Sequence, residues 1–340
     1  MFEHPYIKKF IENGAPEKFH NLHKAVMVGR DACFVELQKS ELVGRGGAGF
    51  LTAKKWSFTR DKKHTVLICN GDEGEPGTFK DRYIMDKGPF MLLEGMLISA
   101  YMLEASDLFI YIRGEYLESI AAFKQAVENY ASELAWYRRE VDPNLDVTVV
   151  VGGGAYVCGD ETSLINSIEG RRPNSRIKPP YPAEKGFRDR PTIVNNVETL
   201  SNLPLIIRDG GDDFASRGVS GSRGTKLICL SGKVNKPGMY EIEMGKISLR
   251  QIVEGLGGGA CNGIVKFVIP GGISTQALTD GELHAMADYG SLKEFGSSFG
   301  SGAVIVADSS IDAVDVACNA ADFFMHETCG ICFPCKEGNR

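Results

Sequence analysis

Along the middle of the chain, short apolar runs alternate with longer amphipathic or apolar ones. Residues 65–70 (TVLICN) are β-branched and apolar and stop at polar GDEGEPG, which predicts a buried strand with a loop at its carboxyl end. Residues 89–104 (PFMLLEGMLISAYMLE) are too long for such a strand; with Pro89 at a first-turn position they predict a buried helix. Residues 107–113 (DLFIYIR) predict a second strand, and residues 146–152 (DVTVVVG) a third. Between them, residues 119–139 predict one amphipathic helix with Ala, Phe and Val on a single face. This alternation predicts an α/β sandwich built on a largely parallel sheet.

The flanks read differently. Residues 1 to about 40 predict a helical lead-in, with Asp31 as a helix N-cap. Residues 172–200 are Pro-rich with few hydrophobic pairs and predict ordered loop. From Thr225 a strand, turn, strand, helix, strand pattern predicts a small α+β unit. After GSGAVIVAD (300–308), the segment IDAVDVACNAADFFMHE predicts a helix that runs straight into three cysteines.

Composition narrows the class. The 340 residues suit two or three domains, and 43% hydrophobic with 24% charged residues excludes global disorder. A formal net charge of -6 argues against nucleic-acid binding by general attraction. No apolar stretch reaches the roughly 20 residues of a membrane span, and the start lacks a secretory core, so a soluble, intracellular-looking chain is expected. Glycine is enriched, 40 of 340 or about 12% against a usual figure of about 7%, and it is concentrated in loops.

Those loops carry the candidate chemistry. GRGGAGF (44–50) lacks the G-K-[ST] of a P-loop, but its successive amides can approach a phosphate or flat ring, with Arg45 and Lys55 supplying positive charge. NGDEGEPGTFKDR places Asn70, Asp72, Glu73 and Glu75 at the carboxyl end of a strand, where open α/β sheets bind ligands. A solvated acidic turn would have the same composition. GGGAYVCGDET repeats the arrangement with Asp160 and Glu161 at a helix start. Phe50, Phe58, Tyr156 and Tyr181 offer faces for flat rings, although an aromatic beside glycine also serves packing.

Of nine cysteines, six are scattered and three fall in HETCGICFPCKEG as C-x-x-C-x-x-C: Cys329, Cys332 and Cys335. This spacing favours a [4Fe–4S] cluster, with zinc and buried thiols as alternatives. A fourth ligand would come from an earlier residue such as Cys318, another chain, a small molecule on an open iron, or sequence beyond Arg340, the last being favoured. His326 reads as an exposed helix-end histidine.

Taken in order, GRGGAGF…KWSF, CNGDEGEPGTFKDR, GAYVCGDET, RIKPPYPA, PTIVNNVETL, GSGAVIV and HETCGICFPCKEG resemble the NADH-binding flavoprotein subunit of respiratory complex I. The same resemblance extends to the diaphorase subunits of NAD-reducing and bifurcating hydrogenases and of NAD-dependent formate dehydrogenases. It implies an FMN- and NAD(H)-binding Rossmann-like domain (1–222), a ubiquitin-like β-grasp domain of the SLBB type (223–306) and the start of an iron–sulfur helical bundle (307–340). By matched position it implies FMN contacts from the glycine loop (Gly44, Arg45, Gly46 and its neighbour Gly47) with Lys55, Asn70 and Asp72. Gly159, Glu161, Asn195, Asn196 and Thr199 complete that set. Phe50, Phe58, Glu73, Glu75, Asp160 and Tyr181 would line the dinucleotide site, with Tyr156 beside them and with Glu75 and Lys55 as catalytic groups.

Cys329, Cys332 and Cys335 would hold the cluster, the family's fourth cysteine falling beyond the last residue. The implied activity is hydride transfer between NAD(H) and FMN, followed by one-electron transfer to iron–sulfur centres. The implied partners are a thioredoxin-like [2Fe–2S] subunit and a larger iron–sulfur subunit, with no nucleic acid and no direct membrane insertion. The implied place is the cytoplasm or the cytoplasmic side of a membrane. The alternative use is NAD(P) reduction or bifurcation in a hydrogenase or formate dehydrogenase complex. A scaffold that keeps only the fold, or a zinc-stabilised binding module, would show no flavin. Four positions depart from the family pattern: Leu51 for proline, Ala53 for glycine, Asp160 for glutamate and Tyr181 for phenylalanine. NAD is expected over NADP.

Overall fold

A computed structural model describes residues 3–338. The lead-in forms α1 (Ile7–Glu12), α2 (His20–Val28) and α3 (Arg30–Lys39), and α4 (Thr52–Ser57) follows the first glycine loop. Asp31 lies inside α3, not at its cap; Gly29 takes the cap position with a φ of 92° that suits glycine.

The alternating middle folds as β1 (Val66–Gly71), α5 (Lys80–Lys87), α6 (Pro89–Leu103), β2 (Asp107–Ile112), α7 (Leu117–Asn129), α8 (Ala131–Glu140), β3 (Asp146–Val151) and α9 (Glu161–Ile168). The single amphipathic helix expected over 119–139 is therefore two. The break falls at Tyr130, whose ring stacks on Phe19 with centroids 4.2 Å apart and whose hydroxyl donates to the Pro16 carbonyl. Anchoring that side chain on the lead-in turns the backbone out of helical geometry.

The Pro-rich stretch is the larger correction. It contains α10 (Pro182–Lys185), β4 (Thr192–Asn196) and α11 (Val197–Ser201), where loop was expected. β4 pairs in parallel with β1, Val66 facing Thr192 and Asn70 facing Asn196. The first sheet has the order β3-β2-β1-β4, with every pairing parallel. Strands step outward from β1 to β3, whereas β4 lies on the other side of β1. That reversal opens a crevice at the carboxyl ends of β1 and β4, the usual ligand position in such sheets.

Period-two burial shows why this sheet is two-sided. Leu67 and Cys69 of β1 join the main core, while Val66 and Ile68 join a smaller cluster with Tyr111, Leu164 and Ile165. In the main core α6 buries all but two of its 15 residues. Each fully buried Leu, Ile or Met there contributes about 1.5–3 kcal/mol. Glu94 is buried in that apolar helix because its carboxylate accepts the amides of Asn21 and Leu22 at 2.8 and 3.1 Å, capping α2.

Helices α12 (Leu203–Asp209) and α13 (Gly211–Ser216) and the two-stranded ribbon β5 (Gly218–Val219) with β6 (Ser222–Arg223) lead to the second sheet. It comprises β7 (Thr225–Gly232), β8 (Gly238–Glu243), β9 (Val265–Ile269), β10 (Leu278–Thr279) and β11 (Ala303–Asp308) in the order β10-β9-β11-β7-β8. Helices α14 (Leu249–Gln251) and α15 (Tyr289–Glu294) complete this part. The two sheets are joined through polar contacts: Glu198 of α11 accepts the Leu227 amide at 2.8 Å, and the hydroxyls of Thr78 and Ser301 meet at 2.6 Å. Gly77, with a φ of 87°, turns against β11 where a side chain would press on Ile305. The chain closes with α16 (Ala313–Glu327) and the short α17 (Phe333–Gly338). Among the described residues no helix is long and apolar enough to cross a membrane.

Candidate active site

The crevice opens into a cavity of 410 Å³, inside the range of about 300–1,000 Å³ typical of small-ligand sites. Every loop singled out in the sequence reaches it. Gly46 comes from the glycine loop, Asn70 and Asp72 to Glu75 from the end of β1, Tyr156, Val157, Gly159 and Asp160 from the turn after β3, and Asn196 from β4. Ser301 comes from the second sheet, and Cys329, Cys332 and Cys335 form another wall. Gly46 is glycine for a geometric reason, since a Cβ there would lie 3.1 Å from Asn196 Cβ.

Asp72 is the chemically exposed group. Its residue is only 7% exposed, yet neither carboxylate oxygen has a hydrogen-bond partner within the described protein. Burial pushes its pKa up to about 7 against a weaker pull from Arg113. A desolvated acceptor facing a cavity calls for a ligand with N–H or O–H donors. Asn70 beside it accepts the Asp72 amide at 3.0 Å and donates to the Gly159 carbonyl at 2.9 Å, joining two of the loops.

The other acids serve partly as struts. Glu73 accepts the amides of Asp81 and Arg82 at 2.7 and 3.0 Å, capping α5; burial and the neighbouring Asp81 push its carboxyl up. Glu75 accepts the Tyr156 hydroxyl at 2.7 Å and, from the second sheet, the Ser274 amide and hydroxyl at 2.9 and 2.8 Å. Tyr156 thereby packs edge-on against Phe323 and Phe324 of α16, and its amide donates to Glu327. Asp160 caps α9: its Oδ2 accepts from the amides and hydroxyls of Thr162 and Ser163 and from the hydroxyl of Ser175. Burial opposes its charge, but those donors and Lys178 hold the carboxyl below its ordinary range.

Other expected residues stand behind the cavity wall. Lys55 Nζ is taken up by the Val194 carbonyl at 2.7 Å and Glu161 at 3.2 Å, and Glu161 also pairs with Lys178 at 2.8 Å. Arg45 is fully buried and its guanidinium donates to the carbonyls of Val43 and Arg223, toward the second sheet. Asn195 accepts the Trp56 indole N–H at 2.9 Å, and Thr199 accepts the Arg45 amide at 2.9 Å. Gly44 donates its amide to the Phe50 carbonyl, and Gly47 approaches Gly300. Phe50, Phe58 and Tyr181 are about half exposed and outside the cavity lining.

Among the described residues the cation on the cavity wall is Lys80, which sequence reasoning missed although it stood in the quoted motif GTFKDR. Its ammonium is 2.7 Å from Asp81, 3.0 Å from Glu198 and 3.4 Å from Asn196 Oδ1. Burial works against that charge, but Asp81, Glu198 and Glu73 outweigh it and raise the pKa. Asn196 itself caps α11 and donates to Asp81 at 2.6 Å.

The three clustered cysteines share the cavity with these loops, and Cys335 Sγ lies 3.2 Å from Thr328 Oγ1. Among the described residues no three His, Cys, Asp or Glu side chains converge as a preformed metal site. Cys318 is exposed on α16 and outside the cavity lining, and His326 is exposed with its ring bonded to the Asp322 carbonyl.

Comparison with known proteins adds the chemistry. Residues 37–205 match the Nuo51 FMN-binding domain, and residues 315–340 match the iron–sulfur binding region of NADH-ubiquinone oxidoreductase-F. The chain is 48% identical over 311 residues to the second F-type subunit of NADH-quinone oxidoreductase from Rhizobium meliloti (strain 1021), covering 89% of this chain and 73% of that one. It is 41% identical over 336 residues to the F-type subunit of the same enzyme from Aquifex aeolicus (strain VF5), covering 98% and 76%. The crystal structure of an NAD+-reducing [NiFe]-hydrogenase in its H2-reduced state superposes with a TM-score of 0.89 at 35% identity. That match covers 99% of this chain and 56% of the hydrogenase chain, so this chain spans about half of that relative's length. A parallel sheet with its cavity at the strand reversal, a second mixed sheet and a thiol triplet on one cavity wall thus coincide with matched sequence over nearly the whole chain. This chain belongs to the family of F-type subunits of NADH-quinone oxidoreductase.

Proposed function

We propose that this chain oxidises NADH on FMN and passes the electrons singly to an iron–sulfur cluster, as the diaphorase part of a larger redox assembly. The observation that carries the reading is the shared cavity. One space is lined by the turns after β1 and β3, by an unsatisfied buried carboxylate and by three thiols. Asp72 fits FMN because a flavin imide and ribityl hydroxyls are the donors its two oxygens lack. FMN and a [4Fe–4S] cluster, when bound, supply the exchange between paired and single electrons that nicotinamide alone does not perform.

In this reading each residue has a limited task. Asp72 and Asn70 hold a heterocycle edge, Gly46 and Asn196 allow close backbone approach, and Lys80 faces the anionic end of the ligand. Glu75, fixed by Tyr156 and Ser274, orients the reduced pyridine, a matter of positioning more than acid–base chemistry. Phe50, Phe58 and Tyr181 present flat faces outside the cavity for the rest of the dinucleotide, with Asp160 toward its ribose. Lys55 acts indirectly, through Glu161 and the Val194 carbonyl. Cys329, Cys332 and Cys335 supply three thiolates to the cluster.

The partners we infer are a thioredoxin-like [2Fe–2S] subunit and a larger iron–sulfur subunit on the cytoplasmic side. The resemblance to the NAD+-reducing hydrogenase supports a second use, NAD(P) reduction or bifurcation, since electron direction is set by partner potentials. Optical and EPR spectra of anaerobically purified protein before and after NADH test the reading. Flavin bleaching together with a reduced-cluster signal is expected. A colourless protein containing stoichiometric zinc would end it.

A further inference from the structure

Behind the inner end of the cavity lies a buried charge cluster that the flavin reading uses only in part. Lys226 of β7 is fully buried; its ammonium donates to the Arg45 carbonyl at 3.0 Å and lies 3.8 Å from Glu198 Oε2. The rings of Tyr289 and Phe299 face it at 6.0 and 5.8 Å. The same Glu198 oxygen is 3.0 Å from Lys80, so two contacts lead from Lys226 to the cavity wall.

The charges facing Lys226 are Glu198 from α11, Lys80 and Asp81 from α5, and Arg45 from the glycine loop, with the phenol of Tyr289 from α15. Two carboxylates, Asp81 and Glu198, match two cations, Arg45 and Lys80. Arg45 keeps its charge at any ordinary pH. Lys80 is held charged by Asp81, Glu198 and Glu73, and Glu198 is held ionised against the cost of burial chiefly through Lys80, with Arg45 adding to it. Glu73, which also acts on Lys80, has its own carboxyl pushed up by burial and by Asp81, so a third cation in this group has no carboxylate held ionised to match it. Burial accordingly pushes Lys226 down to about 7, Glu198 opposing that and Lys80 and Arg45 adding to it.

We propose that Lys226 takes up one proton from solvent when the phosphate of FMN enters the cavity beside Lys80, becoming the ammonium that balances the incoming charge. The step makes one N–H bond, draws its proton from buffer and needs no oxidant or reductant. It rests on the FMN reading. Its consequence is that the second sheet, through β7, takes part in cofactor retention without touching the cofactor, which makes Lys226 a positioning residue.

Calorimetric titration of FMN into the deflavinated full chain, near pH 8 in two buffers of different ionisation enthalpy, tests it. At about that pH the phosphate of FMN is dianionic; were the bound phosphate itself the proton acceptor, uptake would persist in Lys226→Met. Wild type should take up close to one proton per FMN, and its Kd should weaken toward tenfold per pH unit above neutrality. Lys226→Met should bind without uptake, and Lys226→Arg should bind with a Kd that no longer weakens with pH. Riboflavin, which lacks the phosphate, should bind wild type without uptake.

Uptake that persists in Lys226→Met, or that disappears in Asp72→Asn while Lys226→Met keeps it, overturns the proposal. Heats that are independent of buffer in wild type overturn it while leaving the flavin reading intact. Wild type that binds no FMN at all defeats the flavin reading instead. Lys226→Arg keeps the test usable should the methionine variant fold poorly.

Discussion

Asn70 and Gly159, 89 residues apart, are joined by a 2.9 Å hydrogen bond from the asparagine side-chain amide to the glycine carbonyl. The bond ties the end of β1 to the turn after β3 and fixes the width of the cavity between them. Asn70→Ala removes it and leaves an acceptor unmatched. We expect FMN to bind about tenfold more weakly, the effect of roughly 1–1.5 kcal/mol for one hydrogen bond, with little change in Tm. Quenching of FMN fluorescence measures the affinity. Unchanged binding would show that the strands alone hold the turn in place.

Asp72 gives a pH dependence with a definite sign. Its folded pKa of about 7 stands above the ordinary aspartate value of about 3.9. Between those values the folded chain holds a proton that the unfolded chain has lost. Stability of the empty protein therefore falls as pH rises through this window. Asp72→Asn should flatten that fall, raise Tm near neutral and alkaline pH, and weaken FMN binding. A Tm series across pH on deflavinated protein checks it; parallel curves for the two proteins would be the contrary result.

Asp160 remains charged because donors from α9 surround Oδ2, and it lies on the cavity wall. A 2′-phosphate brought near it meets like charge. NADH oxidation with ferricyanide as acceptor should outpace NADPH oxidation, and equal rates would refute the preference. Capping holds this shorter carboxylate back at the helix start, so the discrimination should be moderate.

Cys332 contributes to the cavity wall without belonging to the glycine turns. Anaerobic reconstitution with iron and sulfide should give a brown chromophore in wild type. In Cys332→Ser this should be lost while FMN content stays the same. Loss of both together would mean that the thiol segment is needed to build the flavin pocket.

Gly95 lies where α6 meets α11, and an added Cβ would stand 2.2 Å from the Leu200 carbonyl oxygen. The two nearest atoms, the oxygen and carbon of the Leu200 carbonyl, are helix backbone, so neither yields cheaply. Gly95→Ala should destabilise the chain by at least about 1–3 kcal/mol, read from the urea midpoint. A midpoint equal to wild type would mean that the two helices separate freely.

The strands of the first sheet were legible where hydrophobic runs were unbroken, as in residues 65–70 and 107–113. β4 was not, because only Ile193 and Val194 are strongly apolar between Thr192 and Asn195, and prolines crowd the residues before it. Tertiary pairing with β1 supplies what local propensity lacks. At the site, Asn70, Asp72 and Glu75 could be placed because a loop at a strand's carboxyl end has a known position. Lys80 and Glu198 could not, since a Lys in a helix of mixed charge looks solvated until the second sheet covers it. Arg45 shows the converse: its place in a glycine loop suggested a phosphate contact, whereas its guanidinium donates to the Val43 and Arg223 carbonyls, its buried Nε finding no partner within the described protein.

The thiol triplet and the strand-end turns line the same chamber. A cluster held by those thiols would therefore sit across one cavity from a flavin held by the turns, and the distance of the first inward hop would be set mainly by the fold of one polypeptide. Subunits that dock later would decide where the current goes rather than how far its first step reaches.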